Sequence, residues 1–160
     1  TPIANPRYMV PDWTFGIQDE HMQTVVDQAR AEGAQVVVVL SHNGMDVDIK
    51  MASRVRGIDA ILGGHTHDGM PAPTIVKNGG GQTLVTNAGS NGKFLGVLDF
   101  DVRGGKVQDF RYKLLPVFSN LLPADAGMQA LHRQGARAPT RTSSEVKAWL
   151  VTEEPCFYRR

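Results

Sequence analysis

Cysteine is almost missing from this sequence: Cys156 is the single one among 160 residues. One cysteine excludes an intrachain disulfide framework and any cysteine-based zinc site. An excess of one charge is missing too. With 17 Lys+Arg against 16 Asp+Glu the formal net charge is +1. That balance gives no electrostatic reason to expect nucleic acid or an anionic membrane as a partner. Long apolar runs are absent; the longest, Val36 to Leu40, is far too short to span a bilayer. The chain opens on Thr1-Pro2 with no charged stretch leading into an apolar one, so no signal peptide is read there.

What remains is an ordinary globular composition, 41% apolar and 21% charged. A chain of 160 residues suits one α/β domain, or one with an appendage. Chains near this size hide roughly 70% of their unfolded surface.

Residues 1–18 are rich in Pro, Asn and aromatic residues and are expected to be loop. Asp19 is placed as a helix cap, with Met22, Val25, Val26 and Ala29 following at the spacing of one apolar face and Gly33 at the C′ position. Val36–Leu40 is β-branched and apolar throughout, the pattern of a parallel strand buried on both faces. A helix is expected over 46–56 with Ile49, Ala52 and Val55 inward, and a strand over 59–62. Strand, helix and strand make one right-handed βαβ crossover. Residues 68–82 are read as Gly/Pro-rich loop around a small extended piece at 74–76. Further strands are expected at 83–87, 94–102 and 106–117, the last two joined by Arg103-Gly104-Gly105 as a hairpin. Residues 1–118 are taken as one domain part. Residues 119–160 are taken as a linker helix opening near Pro123-Ala124-Asp125, followed by the start of another domain.

Two motifs carry chemistry. Ser41-His42-Asn43-Gly44 follows the apolar strand, and Gly63-Gly64-His65-Thr66-His67-Asp68-Gly69 follows the next. Sites in open α/β sheets form outside the carboxyl ends of strands. Parallel neighbours lie about 4.8 Å apart. One crossover therefore brings His42, His65 and His67 to one rim, which suggests a transition-metal site. In an extended segment i and i+2 point the same way, with Cα atoms roughly 6.5 Å apart. Two ions of a binuclear centre lie about 3.5–4 Å apart, so His65 and His67 could serve different ions. His21 and His132 lie on helices, away from strand ends, and are read as surface residues. Asp68 is either an acceptor that orients an imidazole or an Asp-Gly turn. Asn43 either touches substrate or takes a left-handed turn before Gly44. The segment from Asn87 through Asn91 to Lys93 is either a cradle of backbone N–H groups for an anion or a flexible loop.

A histidine after a buried strand, then Gly-His-x-His after another, resembles the C-terminal half of a calcineurin-like binuclear metallophosphoesterase domain. Asn87 to Gly96 looks like the glycine-rich segment of its 5′-nucleotidase branch. Thr1 to Tyr8, Ser41 to Met45, Gly64 to Asp68 and Thr86 to Phe94 together resemble the SoxB thiosulfohydrolases of bacterial thiosulfate oxidation. The resemblance implies an α/β fold, the C-terminal half of a β-sandwich flanked by helices and running into antiparallel strands. It implies two divalent ions, manganese in that family, with His42 and His65 on one and His67 on the other. It also implies a periplasmic hydrolase that releases sulfate from an S-sulfonated cysteine on a SoxYZ-type carrier protein. The family's bridging aspartate stands in a Gly-Asp motif, and this sequence has no Gly-Asp pair. The bridging carboxylate and the catalytic residues are therefore expected upstream, and this chain alone is expected to be inactive and only marginally stable. A 5′-nucleotidase-type phosphoesterase and a non-catalytic α/β binding module are the alternatives.

Overall fold

The computed structural model describes residues 8–118, 120–121 and 123–137. Expectations for residues 1–7 and 138–160, among them the second-domain start, lie outside the described residues. The chain forms two compact units, Thr1–Phe118 and Ser119–Arg160.

In the first unit, residues 8–18 are turns and bends leading into helix α1, Asp19–Ala31. Asp19 is not the cap. Gln18 holds that position in the left-handed region, without a side-chain hydrogen bond, and Asp19 opens the first turn. Its carboxylate reaches Arg54 at 3.0 Å instead. At the other end Gly33, at φ +97°, closes the helix as expected. The Gly33 N–H donates to the Arg30 carbonyl and the Ala34 N–H to the Ala29 carbonyl, the paired bonds of a Schellman motif. Val26 is the residue α1 buries fully, whereas Val25 faces solvent. The apolar stripe is narrower than its spacing suggested.

Strand β1 is Val38–Leu40, helix α2 Met45–Arg54 and strand β2 Ala60–Gly63. β1 and β2 are parallel in the register Val38↔Ala60, Val39↔Ile61, Leu40↔Leu62. β3, Thr74–Asn78, and β4, Gly81–Asn87, complete a four-stranded sheet ordered β1-β2-β4-β3. β4 runs parallel to β2, and β3 antiparallel to β4. Residues 83–87 thus join the parallel sheet rather than the antiparallel strands that follow, and 74–78 is its edge. β1 is the opposite edge, so the expected burial on both faces fails: Leu40 is 81% exposed. Only the face carrying Val37 and Val39 meets the core.

That core consists of Val26, Met51, Ala52, Val55, Ile58, Ile61 and Val85, packed between α1, α2 and one face of the sheet. Burying side chains of Val and Ile size contributes about 1.5–3 kcal/mol each. α2 stops at Arg54 because Val55 turns to extended backbone, yet Val55 stays in the core. β5, Phe94–Arg103, and β6, Lys106–Pro116, form the antiparallel hairpin read from Gly104-Gly105. A hydrogen bond between the Thr86 hydroxyl and Tyr112 joins the hairpin to β4.

In the second unit, α3 spans Ala126–Arg137, and the Asp125 carboxylate accepts from the Met128 N–H at 2.8 Å. Asp125 is thus a true side-chain cap. Met128 and Leu131 on this helix are exposed.

Candidate functional site

The carboxyl tips of β1 and β2 are adjacent because the two strands pair in parallel. The Ser41 N–H donates to the Leu62 carbonyl at 3.0 Å, which carries the pairing one residue beyond β1. His42 is the first residue past that bond. Its imidazole Nδ1 lies against Gly64, where a Cβ would approach it to 3.1 Å. His42 and His65 face each other edge to face, ring centroids 5.3 Å apart. Both are exposed, as is His67.

The Gly-His-x-His segment is not the extended piece its spacing suggested. His65 has φ +73° and His67 φ +59°, both in the left-handed region that side chains other than glycine seldom occupy. The Thr66 N–H donates to the Gly64 carbonyl at 2.9 Å, closing a tight three-residue turn on His65. The turn aims the His65 ring at His42, and His67 joins no ring pair among the described residues. Non-glycine residues held at positive φ cost of order 1–3 kcal/mol each and cluster at functional sites.

Asp68 and Asn87 form a hydrogen-bonded frame around this turn. Asp68 accepts from the Thr66 hydroxyl. Asn87 is buried at the end of β4; its Oδ1 accepts from the Gly89 N–H at 3.1 Å. The Gly89 N–H also donates to the Asp68 carbonyl at 2.8 Å. In the Asn87–Lys93 segment the Gly89 and Lys93 amides thus already have protein acceptors, Lys93 donating to the Ser90 carbonyl at 3.1 Å. Asn91, at φ +55°, is an exposed turn residue. Asn43 does not take the left-handed conformation; the positive φ here belongs to Gly44, at +97°. Its backbone N–H and its Nδ2 both donate to the Ser41 Oγ, at 3.2 and 3.0 Å. His21 and His132 are exposed helix residues, as read.

Sequence reasoning missed Asp48. It lies on α2, 1% exposed, and its Oδ1 accepts from the Ser41 hydroxyl at 2.5 Å. Its Oδ2 is buried and has no hydrogen-bond partner among the described residues. Burial pushes the carboxyl above its ordinary range, and the Ser41 hydrogen bond lowers it in part. One signal was available: 48, 51, 52 and 55 follow the i, i+3, i+4, i+7 stripe, which places an acid at a core position.

The fit to a metal can be tested on this donor set. The imidazoles of His42 and His65 at one rim are donors of the kind a divalent transition ion takes. Among the described residues no three His, Cys, Asp or Glu side chains gather as one ligand group. The residues present therefore fit part of a metal site.

No family model matches the chain. The Thermus thermophilus sulfate thiohydrolase SoxB is 40% identical, with TM-score 0.66 over 77% of this chain and 22% of that protein. A 5′-nucleotidase precursor, also from Thermus thermophilus, is 31% identical, with TM-score 0.65 over 74% of this chain and 26% of that protein. The rat 5′-nucleotidase is 30% identical over 148 residues, 81% of this chain and 25% of its own length. The chain spans between 25% and 31% of the length of the mammalian 5′-nucleotidases it matches. The mixed α/β architecture, the paired strand tips with their histidines and these likenesses agree. The chain belongs to the 5′-nucleotidase/metallophosphoesterase superfamily as a partial chain related to SoxB.

Proposed function

We propose that the chain forms part of the site of a binuclear-metal hydrolase that removes sulfate from an S-sulfonated cysteine on a SoxYZ-type carrier protein. The observation that carries the metal site is the His42–His65 pair, brought together edge to face from adjoining parallel strand tips. The higher identity to SoxB, 40% against 31% for the bacterial nucleotidase, supports a sulfonate over a nucleotide as substrate. His42, His65 and His67 would hold two divalent ions, manganese by family resemblance. Bound ions of this kind lower the pKa of a water toward neutrality and neutralise the oxygens of a sulfonate or phosphate.

The chain's own residues hold the donors in place. The turn at His65 fixes one imidazole, the Ser41–Asn43 bonds brace the loop carrying the other, and Asn87 with Asp68 ties the turn to β4. Exposure of all three histidines suits a substrate delivered on the surface of a carrier. A periplasmic location follows from the same family reading. Among the described residues no three such side chains gather as a complete ligand group, so this segment alone is expected to be inactive.

A phosphoesterase acting on nucleotides is the second reading, favoured by the 5′-nucleotidases among the relatives. Assaying the protein at its relatives' full length on AMP and on S-sulfonated carrier separates the two. Sulfate release from the carrier, lost in His42→Ala and His65→Ala, is expected. Turnover of AMP without turnover of the carrier would reject the sulfonate reading.

A further inference from the structure

We infer that Asp48 is a positioning residue of the metal site: its buried carboxylate holds the His42-bearing loop by a hydrogen bond while packing against the tip that leads to His65. The inference rests on the reading of His42 and His65 as metal ligands. Asp48 is hydrogen-bonded to one tip and packs against the other. On the β1 side its Oδ1 accepts from Ser41, and the Ser41 Oγ in turn accepts the Asn43 N–H and Nδ2. Those bonds bracket His42 in sequence, one on each side. On the β2 side its Oδ2 sits against Gly63, so close that a Cβ there would stand 2.6 Å from it. Gly63 leads into Gly64, on which the His42 ring rests, and then into His65.

One carboxylate on α2 thus spans the gap between the two loops. Stability alone does not account for it. A buried carboxylate with one oxygen unpartnered weakens a fold, and an apolar residue would suit this stripe of α2 better. Such violations of core packing concentrate where a protein needs fixed geometry. The charge-assisted bond to Ser41 removes the freedom of the His42 loop before any ion arrives. Loss of an outer partner of this kind typically weakens metal binding about 10–100-fold.

The test is manganous-ion titration of the full-length protein by calorimetry, below its unfolding temperature, for Asp48→Asn, Ser41→Ala, Ser41→Thr and His42→Ala. Asp48→Asn and Ser41→Ala are expected to weaken binding by about tenfold or more. Ser41→Thr, which keeps the hydroxyl, restores it. Combining Asp48→Asn with Ser41→Ala weakens binding no further than the more damaging of the two alone. If Asp48→Asn does not fold, Ser41→Ala and its threonine rescue decide. Loss of metal in His42→Ala with unchanged affinity in Asp48→Asn and Ser41→Ala would overturn the role of Asp48 and leave the ligand reading standing. Unchanged affinity in His42→Ala would remove the ligand reading itself, and the positioning role with it.

Discussion

Asp48 shows at the residue scale how a site can work against the fold that carries it. Burial raises its carboxyl above the ordinary range, with the Ser41 hydroxyl opposing in part. The native state therefore holds a proton that the unfolded state has released. Between the ordinary aspartate value and the raised one, stability falls as pH rises; below that window the penalty is absent, and above it fully present. Urea unfolding at a series of pH values is expected to show this decline in the wild-type chain and a flatter profile in Asp48→Asn. Equal slopes would contradict it. Gly63 is the second sensitive position. A methyl group there meets Asp48 Oδ2 at 2.6 Å and the Thr86 carbonyl at 3.2 Å. Gly63→Ala is expected to cost about 1–3 kcal/mol by overpacking, measured by the same unfolding experiment.

The elements are held by a few polar clamps as well as by the core. Arg30, near the end of α1, donates to the Gly57 carbonyl through Nε and Nη2, at 3.2 and 2.8 Å. Its Nη1 reaches the Ala34 and Gln35 carbonyls, and its Nη2 pairs with Asp59 at 2.5 Å. Asp59 Oδ2 also accepts the Val37 N–H at 2.7 Å, so the start of β1 hangs on the same pair. Arg30→Ala would leave several part-buried acceptors without a donor. A loss of about 1.5–3 kcal/mol is expected from the charged bonds, read as a lower urea midpoint with unchanged slope. Periodicity and turn chemistry made α1, α2, β2 and the β5–β6 hairpin legible, because each is shaped by local signals. The edge position of β1 and the membership of β4 in the parallel sheet were not legible, since both depend on which strands pair at a distance. The co-location of His42 and His65 followed from the crossover alone. The tight turn at His65 did not, because its positive φ is imposed by Gly64, Asp68 and Asn87 around it rather than by spacing.

At the scale of the whole molecule, the bare apolar surface is the main feature. Val38 and Leu40 of β1, Leu95 and Leu115 of the hairpin, and Trp13 ahead of α1 are all exposed. Among the described residues β1 also presents an unpaired strand edge. Such edges and patches invite association. The isolated chain is expected to elute above monomer size in gel filtration, and Leu40→Lys to shift it toward the monomer. A sharp monomer peak for the unaltered chain would contradict this. The chain covers 22% of SoxB and 26% of the bacterial nucleotidase, so ample protein exists in such relatives to shield these surfaces.

The left-handed backbone at His65 and His67 carries one last consequence. Glycine is at ease where these imidazoles sit, so His65→Gly and His67→Gly should each relieve strain rather than add it. A laboratory selection for heat resistance alone would drift toward glycine at both places and erase the chemistry while improving the scaffold. Directed evolution of this protein therefore has to screen for ion retention and thermal endurance together.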